Sequence, residues 1–150
     1  MFDVFTRGSR DPSSLRVFGE TLVAVVAVNA LGAGAGILAG SGEDSDWYKA
    51  LDKPSFNPPG WVFAPVWTSL YTLMGISLSM LWRIRRDNPA ATPALQLFGI
   101  QLILNLLWSF LFFRWERPRD ALIEIVVLNV AIVLAILAAW RVSKTAAILL

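Results

Sequence analysis

The sequence contains neither cysteine nor histidine. Without them no disulfide framework, thiolate nucleophile, Cys/His zinc site or Ser-His-Asp triad can be assembled. Haem iron likewise finds no His or Cys axial ligand. Charge is scarce too: 16% of the 150 residues are charged, against about 25% in an average soluble domain. Thirteen basic residues face eleven acidic ones, for a net charge of +2. The basic residues are scattered between apolar blocks rather than gathered on one face, which gives no footprint for nucleic acid.

What the chain has instead is apolar length. Hydrophobic residues make up 56% of it, the mean hydropathy is +0.59, and there are seven tryptophans. Four runs are long enough to cross a bilayer as helices: about 17–39, 61–82, 93–113 and 121–140. The predicted class is therefore an all-α, polytopic membrane helix bundle in a single unit, 17–150, behind a polar N-terminal extension, 1–16, with Arg7, Arg10 and Arg16. Ala39-Gly40-Ser41 resembles a signal cleavage site, but the apolar run before it far exceeds the ~7–15 residues of a signal core. Asn57 and Pro58 read as the N-cap and first residue of the second helix. Residues 145–150 are apolar but too short to cross, and read as the start of a fifth helix. Lys and Arg number eight on the side of the N-terminus and five on the other, so the N-terminal side is expected to be cytoplasmic in a bacterial envelope membrane, in preference to a mitochondrial outer membrane.

Polar and aromatic side chains inside spans are the informative positions, because lipid cannot satisfy a polar group. Gln101, Asn105, Trp108 and Phe112 share one helical face, as do Phe63, Trp67, Tyr71 and Met74. Trp67 lies roughly 10 Å, and Trp108 roughly 8 Å, inside the membrane surface next to the 40–60 loop. Glu124 and the glycines 32, 34, 36 and 40 occupy the same half. An aromatic-lined pocket roofed by that loop follows. Simpler roles compete for several of these residues. Trp47, Trp61, Trp82, Trp115 and Trp140 sit at or beyond span ends, where interfacial anchoring accounts for them. Close helix packing accounts for Gly32/Gly36 and Gly36/Gly40, and interhelical hydrogen bonding for Asn29 and Asn129. Glu124 reads first as an acid favouring the start of its helix.

The run Trp47-Tyr48-Lys49-Ala50-Leu51-Asp52-Lys53-Pro54, with Asn57-Pro58-Pro59, Trp61-Val62-Phe63-Ala64-Pro65-Val66-Trp67 and Leu70-Tyr71, resembles the signature of the translocator protein family. This family is also called the tryptophan-rich sensory proteins or peripheral-type benzodiazepine receptors. Gln101-Leu102, Leu104-Asn105, Trp108 and Phe112-Phe113 match its third-helix pattern. The resemblance is strong from Trp47 to Phe113 and looser to Leu150. It implies a five-helix membrane bundle, a homodimer, that binds porphyrins, cholesterol-like lipids and benzodiazepine-type compounds beneath the first loop. Carried over by position, Phe63, Ala64, Trp67, Asn105, Trp108, Ile123 and Val127 are the implied ligand-binding residues. No catalytic or metal-binding set is implied. Ser55 and Phe56 stand where many relatives have Trp, and Asp120 where some have an aromatic. The fifth helix is apparently truncated, and the N-terminal extension has no usable counterpart.

Three functions follow. The first is a membrane protein for tetrapyrrole sensing or transport, with porphyrin or haem as ligand and no required cofactor. Indoles of Trp67 and Trp108 would stack on the ring, and Lys49, Lys53 or Arg117 would meet its carboxylates. The second is an enzyme for light-dependent porphyrin degradation through the pocket tryptophans, an activity suggested for some bacterial relatives. The third is a structural membrane protein whose aromatic stripes only pack.

Overall fold

The computed structural model describes residues 12–42 and 45–150. Arg7 and Arg10 of the N-terminal extension, and Glu43 and Asp44 of the first loop, lie outside them. Among the described residues every regular element is helical. The chain runs α1 (Pro12–Ala39), α2 (Asp46–Ala50), a 3-10 turn at Gly60–Val62, α3 (Phe63–Asp87), a second 3-10 turn at Pro89–Ala91, α4 (Thr92–Ser109), a π-helical turn at Phe110–Arg114, α5 (Pro118–Trp140) and α6 (Lys144–Ile148).

Four helical segments, in α1, α3, α4 and α5, are long and apolar enough to cross a membrane. The fold is an all-α membrane bundle, because a helix alone satisfies its backbone polar groups within one segment in lipid. Helix α1 begins at Pro12 and so takes in the end of the polar extension, and α3 continues past Trp82 to Asp87. The second span is not capped by Asn57. Its entry is the 3-10 turn after Pro59, while Asn57 turns its amide to the Tyr48 hydroxyl and the Pro58 carbonyl. Ala39-Gly40-Ser41 is a helix terminus: Gly40 has φ +67°, its N–H donates to the Ile37 carbonyl, and Ser41 N–H donates to Gly36. That pair of bonds is a Schellman cap, which needs a left-handed residue at this position.

The helices do not pack in simple chain order. Helix α1 lies chiefly against α3 and also touches α4, α4 lies against α5, and α6 contacts both α5 and α3. The five-residue α6 thus joins the two ends of the row. Ser77 Oγ donates to the Ala146 carbonyl at 2.7 Å in the interior, which pins α6 to α3. The face that α5 buries is Ala121, Glu124, Leu128, Ala131, Ala135 and Ala139, at three- and four-residue intervals, and its four alanines let neighbours approach closely.

Between α1 and α3 the approach is closest at two glycines. A Cβ on Gly75 would stand 2.5 Å from Val25 Cα, and one on Gly32 would enter the Tyr71 ring. Gly34 has open space around it, so close packing accounts for Gly32 but not for every glycine of that run. Asn29 bonds across to Thr72 at 3.2 Å as expected. Asn129, in contrast, donates to Ile125 of its own helix and is exposed, so it makes no interhelical bond.

Candidate functional site

The C-terminal half of α1, the first loop, the start of α3 and the end of α4 enclose one cavity of about 770 Å³. Its size is within the ~300–1,000 Å³ range of small-molecule sites. Phe63, Ala64, Trp67 and Tyr71 line it from α3, at the spacing that keeps one helical face turned inward. Trp67 and Tyr71 lie with centroids 5.5 Å apart and rings tilted by 31°. Asn29, Gly32 and Gly36 line it from α1.

The α4 wall depends on a departure from the α-helix. The turn Phe110–Arg114 is π-helical, with Trp115 N–H reaching back five residues to the Phe110 carbonyl. Such single-turn π segments are frequent at functional sites. Here the segment gathers three rings. Trp108 stacks on Phe112 at 5.1 Å and 8°, Phe113 meets Trp108 edge-on at 6.0 Å, and all three line the cavity.

The loop forms the roof. Helix α2 starts at Ser45, whose hydroxyl accepts from Tyr48 N–H at 3.1 Å. This small helix docks through rings: Trp47 edge-on to Phe112 at 4.9 Å and Tyr48 against Phe113 at 5.9 Å. Lys53 sits 4.3 Å from the Tyr48 ring centroid and donates to the Tyr48 carbonyl. Trp47 is therefore half-buried in the roof and holds it to the π turn, a role beyond interfacial anchoring. Trp82 and Trp140 lie at helix ends under Arg85 and Lys144.

The chain matches the sequence profile of the TspO/MBR family over residues 24–150. It belongs to that family. It is 45% identical over 104 residues to a tryptophan-rich protein TspO of Chlorobaculum tepidum, covering 69% of this chain and 66% of that one. It is 41% identical over 104 residues to the protein of the same name in Archaeoglobus fulgidus, covering 69% and 67%. To the human translocator protein it is 36% identical over 110 residues, covering 73% and 65%. The chain thus spans just under two thirds of the Chlorobaculum relative. Four helices long and apolar enough to cross among the described residues, with this family membership, make it a multi-pass membrane protein.

Of the seven residues that the family resemblance implies, Phe63, Ala64, Trp67 and Trp108 meet at the cavity. Asn105 stands one layer behind, buried, and accepts the Tyr71 hydroxyl proton at 2.8 Å. Ile123 and Val127 are not brought to the cavity: they are 66% and 50% exposed. Helix α5 turns its alanine face inward, and one residue step rotates a side chain by about 100°, so these two point off the buried face. Among the three cations, Lys53 lines the cavity, whereas Lys49 does not and Arg117 sits outside with Asp120 at 3.5 Å.

Glu124 is not at a helix start. It lies six residues into α5, is 7% exposed, and neither carboxyl oxygen has a hydrogen-bond partner. Sequence reasoning passed over Tyr48, Asp52, Asn57 and Phe113 as lining residues. All four stand in the runs that carry the family resemblance, and that was the signal available for them.

Proposed function

We propose that the protein binds porphyrins and other planar apolar ligands in the cavity under the first loop and acts in tetrapyrrole sensing or transport. The observation that carries this reading is one cavity lined by two aromatic pairs, Trp67–Tyr71 and Trp108–Phe112. Offset aromatic contacts contribute about 0.5–1.5 kcal/mol each beyond the area they bury. A planar macrocycle presents enough ring face to use both pairs. Lys53 is the lining cation, and it is free to exchange the Tyr48 carbonyl for a propionate-type carboxylate. Stacking requires no axial ligand, so metal-free porphyrin is the expected form, and haem would be held without His or Cys.

Titration of the purified protein with protoporphyrin, followed by Soret-band absorbance, tests the reading. Saturable binding is expected, with affinity reduced about tenfold in a Trp67→Ala, Trp108→Ala double variant, as loss of two ring contacts implies. Non-saturable binding, or equal affinity in the double variant, would overturn it. The translocator name carried by the mammalian relatives favours transport as the physiological outcome.

A further inference from the structure

At the membrane surface opposite the aromatic cavity, α3 and α4 meet around a groove of about 230 Å³. Trp82, Arg85, Arg86, Pro89 and Thr92 line it. It is about 27 Å along α3 from Trp67, counting eighteen residues to Arg85 at the helical rise.

The arginines of this end have different duties. Arg83 turns inward and donates to Thr21 Oγ1 at 3.1 Å and to Ser79 Oγ at 3.4 Å. Arg86 pairs with Glu20 through one nitrogen, at 2.9 Å, and Glu20 also takes Arg16 at 3.1 Å. One carboxylate thus serves two guanidinium groups, and most of the Arg86 N–H donors stay available to the groove. Arg85 lies 5.5 Å from the Trp82 ring and makes no hydrogen bond or ion pair among the described residues. Asp87, exposed on the same turn, is a second acid at this end among the described residues. Two guanidinium groups and no carboxylate therefore line the groove, and among the described residues one of the two, Arg85, is held on an indole with no acceptor.

We propose that this groove binds the phosphodiester headgroup of an anionic phospholipid through Arg85 and Arg86. Three observations select this occupant. The site lies where the apolar part of α3 gives way to basic residues, and Trp82 is half-exposed there, at the level where headgroups and interfacial tryptophans lie. Guanidinium forks match phosphate oxygens in pairs. The excess of positive charge favours a lipid with net negative charge over a zwitterionic one, whose own ammonium the arginines repel. Basic pockets between membrane helices recognise anionic headgroups by this chemistry.

Native mass spectrometry of the detergent-solubilised protein with added lipid tests the proposal. Phosphatidylglycerol should be retained in preference to phosphatidylcholine of the same acyl chains. Arg85→Gln should reduce that retention about fivefold, the ordinary contribution of one basic residue near an anionic lipid. Arg117→Gln, on the opposite surface, should leave it unchanged, with helicity by circular dichroism equal in all three proteins. Equal retention of the two lipids, or full retention by a folded Arg85→Gln protein, would overturn the proposal. Displacement of the lipid by millimolar inorganic phosphate would overturn it too, by making the groove a site for the free ion.

Discussion

The Tyr71 hydroxyl donates to Asn105 Oδ1 at 2.8 Å in the interior, joining α3 to α4 behind the aromatic wall. Tyr71 touches two environments: its ring lines the cavity and fills the space above Gly32, while its hydroxyl satisfies a buried amide. A change at either residue is therefore expected to reach both stability and ligand binding.

Tyr71→Phe keeps the ring and strands the Asn105 carbonyl oxygen. Unsatisfied buried acceptors cost about 1–3 kcal/mol, and interhelical bonds in membranes fall toward the lower end of that range. A lowered thermal midpoint in detergent is expected. Porphyrin affinity should fall less than in Trp67→Ala, because the stacking surface remains. A midpoint equal to that of the unsubstituted protein would show the bond to be unimportant.

Gly75→Ala and Gly34→Ala separate packing from backbone propensity. The first places a Cβ 2.5 Å from the Val25 backbone, where neither helix can yield without moving. Overpacking of this kind costs about 1–3 kcal/mol or more. The second meets open space and exchanges a poor helix former for a good one, a gain of up to about 1 kcal/mol. Thermal unfolding in one detergent should move in opposite directions for the two variants.

The outward placement of Ile123 and Val127 leads to a sharp contrast with Trp108. Alanine at 123 or 127 should leave protoporphyrin affinity within about twofold, since neither side chain lines the cavity. Alanine at 108 should weaken it several-fold, by loss of one ring contact worth roughly 0.5–1.5 kcal/mol. Comparable losses at 123 and 108 would mean that α5 presents a different face to the ligand.

Roof docking through Trp47 is expected to govern access to the cavity. Removing its ring in Trp47→Ala deletes the edge contacts to Phe112 and Phe113. The loop should then be cut faster by protease, and bound porphyrin should dissociate faster. Stopped-flow displacement measures the second effect, and unchanged rates would assign the roof to other contacts.

Glu124 is buried on the inner face of α5 with no hydrogen-bond partner for its carboxyl oxygens among the described residues. A charge in that place is costly, so a neutral isostere is expected to be tolerated or stabilising. Glu124→Gln should match or exceed the thermal midpoint of the unsubstituted protein at pH 7. A large drop would reveal a partner for the charged form.

The spans, their aromatic faces and the polar loop were all readable from the chain. A bilayer demands some twenty apolar residues per crossing and helical backbone within it, and those demands act on each segment separately. Phe63, Trp67 and Tyr71 came together because three- and four-residue spacing places them on one face whatever lies opposite. Family resemblance added Ala64, which lines the cavity, and Asn105, Ile123 and Val127, which do not, the last two because the rotation of α5 is set by its alanine contacts with neighbours. Trp47 looked like an interfacial anchor for a similar reason. Its ring partners, Phe112 and Phe113, lie more than sixty residues away, on a π turn that no local pattern announced.

The absences met first in the sequence remain its firmest contribution. Without Cys or His, no disulfide, Cys/His zinc site or His- or Cys-ligated haem can be built here, and that exclusion rests on composition alone. Tertiary structure decided which rings line the cavity and which tryptophan docks the loop above it. It also put a short α6 between α5 and α3 and left Arg85 without an acceptor among the described residues. These are outcomes of helix rotation and of contacts between distant segments. Apolar length determines that a helix crosses the membrane, whereas only packing against its neighbours determines the direction in which each side chain points.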